Sequence, residues 1–515
     1  MTVVKFDGKI VQFGFGAVGK SFFEKVSGEV GFNENSYFVI TKYKDEFTAY
    51  INLGGMAANF IECEVTQSNF RSVFAERLRS GDLLLDFADT VGTKDICDWC
   101  ADNNIMYINT SDADWPEYWL NVFEQNNKLR EIKKRHRDNP YTNKHPIVLQ
   151  HGNNPGLVSH FVKAGIEYIA DTQFKKNKLL KHLISQNRFN EASEELGIKM
   201  IHVNDIDLQK IKNNADGHTL TNTWCIDSFI FELLSEAAIS IGTHENIDFA
   251  DECKNIDTER GLLEFKKLSA EVRCRTCYPN GAFEGFLVPH DETVTISKSL
   301  EVKRGGKVIY RPSVMFIYAP CHSAVEYFRG AKVNEYPQPD PSKPADCDNE
   351  YGKTIIRGYM YPENYGIAYK ENIASGTEYV GVLLLGESFD PVWVGNRVEL
   401  SYLYKKDKNS YWQTPTITPV AMSALAAVCW MIRNKDEGGI YFPDDIADYK
   451  QIISTAEKYI SKTIYKTFKK EALEKILRID FSSLQAGDFI LMSAAASAAS
   501  PAAAAISATA SVGGA

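Results

Sequence analysis

The hexapeptide Gly14-Phe15-Gly16-Ala17-Val18-Gly19 carries the clearest chemistry in the sequence. It follows the apolar run Lys9 to Phe13 and opens a helical pattern from Val18 to Val26. A G-x-G-x-x-G turn in that setting points to a dinucleotide. Gly14 permits the tight turn, Gly16 lets the backbone approach a pyrophosphate, and Gly19 lets the helix pack closely. The helix start, at Ala17 and Val18, offers unpaired N–H groups and partial positive charge to the phosphates. An acid about 20 residues further on usually meets the adenosine ribose. Here that place holds Thr41, Lys42 and Tyr43, with Asp45 slightly late. The motif therefore leaves NAD against NADP open, since Lys42 and Lys44 would suit a 2′-phosphate. Further cofactor contacts are expected where other strands end, at Ala88-Asp89-Thr90 and Asn109-Thr110.

The elements that must position this turn alternate short apolar runs with helical patterns, the signature of βαβ units. Strands are predicted at Lys9 to Phe13, Tyr37 to Ile40, Phe60 to Val65, Leu83 to Phe87 and Ile105 to Ile108, with helices over Phe70 to Leu78 and Asp95 to Asp102. Right-handed crossovers then give a doubly wound parallel sheet of the Rossmann kind. The polar helix Asn121 to Arg137 carries a run of basic residues, expected as a solvated face. Pro146 to Gln150 reads as another strand, and Asn154-Pro155-Gly156 as a helix start with Asn154 as its cap. Beyond Lys199, strand-like runs at Met200 to Val203, Phe286 to Val288, Thr293 to Ile296, Val314 to Tyr318 and Val380 to Gly386 imply a second, α+β domain. Four prolines mark 331–351 as an exposed loop, and Thr418 to Arg433 and Tyr449 to Ile460 read as C-terminal helices. The expected division is 1–150 for the nucleotide, 151–415 for the second domain, 416–480 for a helical segment, and 481–515 for a low-complexity Ala/Ser tail.

The 515-residue chain is too long for a single core. Its formal net charge of -10 disfavours a nucleic-acid partner and favours approach of cations. No apolar stretch reaches the roughly 18 residues of a membrane span, and Met1 to Gly8 shows no leader pattern, so a cytoplasmic protein is expected. Ten cysteines include two C-x-x-C pairs, Cys97/Cys100 and Cys274/Cys277, too far apart for a zinc module. Reduced thiols and no metal are expected.

A series of blocks resembles the bacterial homospermidine synthases, relatives of saccharopine dehydrogenase. They are Gly152-Asn153-Asn154-Pro155-Gly156-Leu157, Ile201 to Asp207, Asn222-Thr223-Trp224-Cys225-Ile226-Asp227, Gly242-Thr243-His244-Glu245, Pro289-His290-Asp291-Glu292, Tyr310-Arg311-Pro312-Ser313 and Glu378 to Leu384. The resemblance implies a homodimer that binds NAD tightly without consuming it. It implies that one putrescine is oxidised to an imine, a second amine displaces ammonia, and the returned hydride reduces the new imine.

Such a substrate is a dication whose amines have pKa values of roughly 10.4. The reacting nitrogen must lose a proton while the distant ammonium stays charged, so aromatic surface, carboxylates and a proton acceptor are all needed. The resemblance assigns Trp224 as the aromatic wall, where an indole face holds a cation by roughly 0.5 to 2 kcal/mol. It assigns Glu232, eight residues beyond Trp224, and Asp205, where relatives generally carry Glu, to the ammonium groups. His290 is assigned to proton shuttling and Asn154 to the nicotinamide or substrate as well as to its helix cap. Two rivals remain. A saccharopine- or carboxyspermidine-type dehydrogenase with stoichiometric NAD(P)H would need an Arg clamp, for which Arg311 is available. A nucleotide-binding protein without catalysis is the other.

Overall fold

The computed structural model describes residues 3–88, 91–115, 122–139, 141–212, 219–325, 355–356, 359–360, 364–406 and 410–491. The proline-rich loop 331–351, the tail beyond residue 491, and Asp89 with Thr90 lie outside the described residues.

Apolar runs of the first 150 residues become β1 (Ile10–Phe13), β2 (Tyr37–Thr41), β3 (Phe60–Glu62), β4 (Leu83–Asp86), β5 (Met106–Asn109) and β6 (Pro146–Val148). They pair in parallel in the spatial order β3-β2-β1-β4-β5-β6. Helices cover both faces, so β1, β4, β5 and β6 are buried along their whole length and read as largely apolar runs, with Gln12, Asp86 and Asn109 the polar exceptions. The order reverses at β1, between β2 and β4, and a crevice forms there above the carboxyl ends of the strands. A seventh strand, Gly439–Tyr441, arrives from the far end of the chain and pairs with β6. The C-terminal segment thus contributes a strand as well as helices.

The second domain is built on an eleven-stranded mixed sheet. Its strands include β7 (Ile198–Asp207), β8 (Glu236–Ser240), β9 (Cys253–Asp257), β10 (Leu262–Leu268), β11 (Arg273–Tyr278), β12 (Gly281–Val288), β13 (Ser313–Ala319), β14 (Thr377–Gly386) and β15 (Val392–Glu399). Central β7 runs parallel to β13 and antiparallel to β14. Alternate residues of β7 project to one face, which puts Ile201 and Val203 in the larger core and Asp205 and Asp207 beyond them on the same side. The last strand of this sheet, Ile490–Leu491, pairs with β11 after a folded stretch that buries Phe481, Leu484 and Phe489.

Helices α1 (Ala17–Glu29) and α2 (Leu157–Gln173) lead out of the ends of β1 and β6, followed by α3 (Ile226–Leu234), α4 (Asp291–Ser299) and α5 (Ile417–Arg433). Helix α5 is apolar all round and is buried against α1 within the larger core, as such a pattern requires. Thr293 to Ile296, predicted as a strand from its β-branched residues, lies inside α4. Asp291 and Glu292 fill the first turn, Thr293 Oγ1 donates to the His290 carbonyl (2.7 Å), and Asp291 to Ser297 are all buried. Burial on every side removes the alternation that would have separated helix from strand. Among the described residues no helix is long and apolar enough to cross a membrane, and the nine described cysteines are free.

Candidate active site

The glycine turn behaves as its spacing requires. Gly14 sits at φ +88, its N–H donates to the Ile40 carbonyl (2.9 Å), and an added Cβ would lie 2.7 Å from the Phe87 carbonyl carbon. A Cβ on Gly19 would lie 2.6 Å from the Gly14 oxygen, so α1 sits hard against the turn. Gln12 ties both together, its amide donating to Gly14 O (3.0 Å) and Gly19 O (3.1 Å). Above Gly16, by contrast, the Cβ position meets no heavy atom within 4 Å among the described residues beyond its own chain neighbours. Gly16 precedes α1 without a side-chain cap, so the N–H groups at Ala17 and Val18 have no intrahelical partner. The residues fit a dinucleotide pyrophosphate. Thr110 follows β5, and its carbonyl is 3.0 Å from the Cβ position of Gly152, so the β5 and β6 loops interlock along the same carboxyl edge. Asp89, the other expected contact, lies outside the described residues.

Joined to this edge through Asn154 is a cluster of buried carboxylates. Asp205 and Asp207 project from the end of β7, and the strand register sets Glu378 of β14 opposite Asp207 and Tyr318 of β13 opposite Asp205. All four are buried. Asn154 Nδ2 donates to Asp205 Oδ2 (2.9 Å), while Thr223 Oγ1 (2.6 Å) and the Gln209 backbone N–H (2.8 Å) donate to Asp207. Trp224, half-buried, donates its indole N–H to Tyr318 Oη (2.8 Å). Burial pushes Asp205 up to about 8 against the Asn154 hydrogen bond, with help from the charges of Asp207 and Glu232. Burial likewise lifts Asp207 to about 6 and holds Glu378 well above the ordinary carboxylate range.

A second group of acids surrounds His290, which ends the loop after β12. Its Nδ1 pairs with Glu292 and its Nε2 lies 3.4 Å from Glu232 Oε1 on α3. Burial works against an imidazolium here, but the two glutamates raise His290 well above its ordinary value. Asp291 is held well above its usual range by burial and by Asp112. Asp112 is itself lifted to about 6 by burial, although Gln150 and Asn109 donate to it. Among the described residues, Asp205 Oδ1, Glu378 Oε2, Asp291 Oδ1 and Glu292 Oε1 find no hydrogen-bond donor. Buried oxygens without donors call for a ligand that brings its own.

The structure therefore brings together Trp224, Glu232, Asp205, His290 and Asn154, through contacts that run Asn154–Asp205, Glu232–His290 and Trp224–Tyr318. One expectation is corrected. Asn154 does not cap its helix: α2 begins at Leu157 after Gly156, which has no side-chain cap, and the Asn154 amide is committed to Asp205. Residues beyond the sequence assignment are Asp207, Glu378, Tyr318, Asp291 and Glu292. A signal existed for Asp207, because an acid in the same otherwise apolar strand block, at the same parity as Asp205, must share its face. Arg311, offered as a carboxylate clamp, is consumed elsewhere. Fully buried, it donates to the carbonyls of Ile241 (2.9 Å), Thr258 (2.8 Å) and Glu259 (3.3 Å) and pairs with Glu301 (3.0 Å).

Residues 10–146 match the saccharopine dehydrogenase NADP binding domain. The chain is 25% identical over 466 residues to a homospermidine synthase of Mesorhizobium japonicum, covering 88% of this chain and 89% of that one. A homospermidine synthase of Blastochloris viridis is 24% identical over 476 residues, covering 89% and 91%. In fold, the chain is similar to a homospermidine synthase of Legionella pneumophila in complex with NAD, with TM-score 0.79, 24% identity, and 95% and 99% of the two chains covered. An apo saccharopine dehydrogenase of Saccharomyces cerevisiae follows at TM-score 0.52 and 10% identity, covering 90% and 100%. These likenesses support the family resemblance seen in the sequence and an enzyme on a Rossmann-type framework.

Proposed function

We propose that this chain is a homospermidine synthase that joins two putrescines, or putrescine and spermidine, with release of ammonia. The observation that carries the proposal is the set of buried carboxylate oxygens lacking donors around Trp224 and His290. A dication with several N–H donors satisfies such a set, and a carboxylate-bearing substrate does not. The commitment of Arg311 to backbone carbonyls and Glu301 argues against a saccharopine- or carboxyspermidine-type dehydrogenase.

Gly14, Gly16, Ala17, Val18, Gly19 and Thr110 would hold the dinucleotide, with Asp89 as a further contact. Bound NAD supplies a reversible hydride acceptor at the substrate carbon. The chain's own groups do the rest. Asp205, Asp207 and Glu378 bind the ammonium remote from reaction, and Asn154 fixes the Asp205 carboxylate in place. Glu232 and His290 exchange the proton that the reacting amine must lose, and return it to the nitrogen that departs as ammonia. The two flanking glutamates favour the imidazolium form of His290, which suits it to giving the proton to the departing nitrogen while Glu232 accepts from the reacting amine. Trp224 shields the cationic imine from water while its face stabilises the charge. We also take the protein to be a cytoplasmic homodimer, with 1–150 serving the nucleotide and 151–415 the amines.

The test incubates purified protein with putrescine and substoichiometric NAD, and follows products by mass spectrometry and absorbance. Homospermidine and ammonia should accumulate over many turnovers with no matching rise in NADH. Stoichiometric NADH, or no amine product, overturns the proposal.

A further inference from the structure

Trp224 and His290 reach the candidate site from different parts of the chain, yet both lean on one strand. Trp224 lies in the bend before α3, and His290 lies between β12 and α4. Phe316 and Tyr318 stand two residues apart on β13 and so project to one face of the sheet. Parallel register places Val203 and Asp205 of β7 beside them on that face. Both rings are buried. Their planes lie 19° apart, with centroids at 6.1 Å. The His290 ring covers Phe316 at 4.2 Å between centroids, and Trp224 meets Tyr318 at 6.3 Å. A file of rings therefore runs His290, Phe316, Tyr318, Trp224.

Only the last link in this file is directional. The Trp224 indole N–H donates to Tyr318 Oη (2.8 Å), and an indole has no second polar group. Phe229 of α3 is set edge to face with both rings, at 84° to Trp224 and 86° to Tyr318. Phe229 limits where the indole can sit, and the hydrogen bond selects which way it turns. Burial, with the charges of Asp205 and Asp207, holds the Tyr318 phenol well above its ordinary range, so it remains a neutral hydroxyl acceptor. Trp224 is half-buried, so without that acceptor its N–H can turn to water and carry the ring with it. An indole attracts a cation over its face and not at its rim, where the quadrupole is positive. A turned ring loses the contact.

We propose that Tyr318 is a positioning residue for the aminobutyl transfer: by accepting the indole N–H it holds the face of Trp224 toward the cationic imine. Stacking on Phe316 keeps the acceptor itself in place. The inference deepens the proposed function and rests on it for the identity of the cation.

Full-length Tyr318→Phe, Trp224→Phe and the double variant test it, by steady-state kinetics with putrescine and by melting temperature. Tyr318→Phe keeps the ring stack and removes the acceptor. It should lower kcat about 3- to 10-fold, the worth of one neutral hydrogen bond. KM for putrescine should change less than about twofold, because the acids hold the ground-state ammonium and the imine alone needs the ring. In the Trp224→Phe background, which has no N–H to place, the same Tyr318 change should alter kcat by less than about twofold. An equal loss in both backgrounds overturns the inference, because Tyr318 then acts without Trp224. So does a Tyr318→Phe enzyme with wild-type kcat, whatever its melting temperature. If the wild type forms homospermidine in either case, the proposed function stands and only the role of Tyr318 falls. If the wild type forms none, the proposed function fails and the inference falls with it.

Discussion

Replacing Asp205 by Asn tests the electrostatic core of the proposed site, because the consequence depends on pH in a way a shape defect would not. The carboxyl, lifted to about 8 chiefly by burial, is ionised in roughly one molecule in eleven at pH 7 and nine in ten at pH 9. Only the ionised form anchors an ammonium, so binding of putrescine at pH 7 must release nearly one proton from Asp205. Affinity of the wild-type protein should therefore rise about tenfold from pH 7 to pH 9, below the range where the amines themselves lose charge. A charge-assisted hydrogen bond is worth roughly 1.5 to 3 kcal/mol. Asp205→Asn should then weaken putrescine about 10- to 100-fold at pH 9, but by about tenfold less at pH 7, where the wild type loses that factor to deprotonation. Asn154 can still donate to the amide oxygen of the substituted side chain, which should preserve the fold. Calorimetry in two buffers of different ionisation enthalpy counts the proton directly. Stability gives an independent sign. A carboxyl whose folded pKa is raised costs no stability below about pH 4, where both states hold the proton. Its penalty then grows as pH climbs and levels off above about 8. The melting temperature of Asp205→Asn should thus match the wild type in acid and exceed it at pH 9. A binding deficit that is the same at both pH values, with no proton release in the wild type, would refute the assignment of Asp205 as a titrating anchor.

Trp224→Ala should reduce kcat/KM for putrescine by about 10- to 100-fold, with Trp224→Phe recovering part of the loss, because the ring face and not the indole N–H meets the cation; steady-state kinetics on folded variants decides this. Gly14→Ala and Gly16→Ala should separate stability from binding. The first forces a Cβ to 2.7 Å from backbone at a positive φ and should cost about 2 kcal/mol or more by denaturant unfolding, while the second meets open space, leaves stability within about 0.5 kcal/mol, and weakens NAD. Arg311→Met strips donors from the buried Ile241 carbonyl and from those of Thr258 and Glu259, while Glu301 keeps Lys298 and Lys303, and should destabilise by about 1 to 3 kcal/mol. Whatever folds should keep its KM for putrescine, and a selective loss of substrate binding would return Arg311 to the candidate site.

The parts of this architecture that are legible in the sequence are those set by local rules. Gly14, Gly16 and Gly19 fix a turn through their own lack of Cβ, and the apolar runs of β1, β4 and β5 announce a doubly covered sheet. What is not legible depends on contacts distant in sequence. Gly439–Tyr441 joins the first sheet beside β6 from the far end of the chain, and so short a strand has no periodicity to detect. Asn154 carries a good capping signal, but the chain turns through Pro155 and Gly156 before α2 begins, and the Asn154 amide nitrogen donates to Asp205 instead. Thr293 to Ile296 reads as a strand because burial on all sides erases the helical pattern. For the site, Trp224, Glu232, Asp205 and His290 follow from resemblance, whereas Glu378 needs the register of β14 on β7 before it can be placed beside Asp207.

The polarity of the pocket also explains how it could tell amines apart. Asp205, Asp207, Glu378, Glu232, Glu292, Asp291 and Asp112 interact by charge with one another or with His290, and acids gathered so closely must retain several protons to keep like charges apart. A ligand carrying one ammonium could displace one such proton, leaving the other acids protonated and their burial uncompensated. A diamine spanning from the Asp205 group to the Glu232 and His290 group discharges both ends together, and the gain grows with each amine held. Selectivity for polyamines then follows from charge spacing more than from a tight steric mould. Lysine should be rejected although its side chain resembles putrescine, because its carboxylate would enter a field set by acids while Arg311 is committed elsewhere.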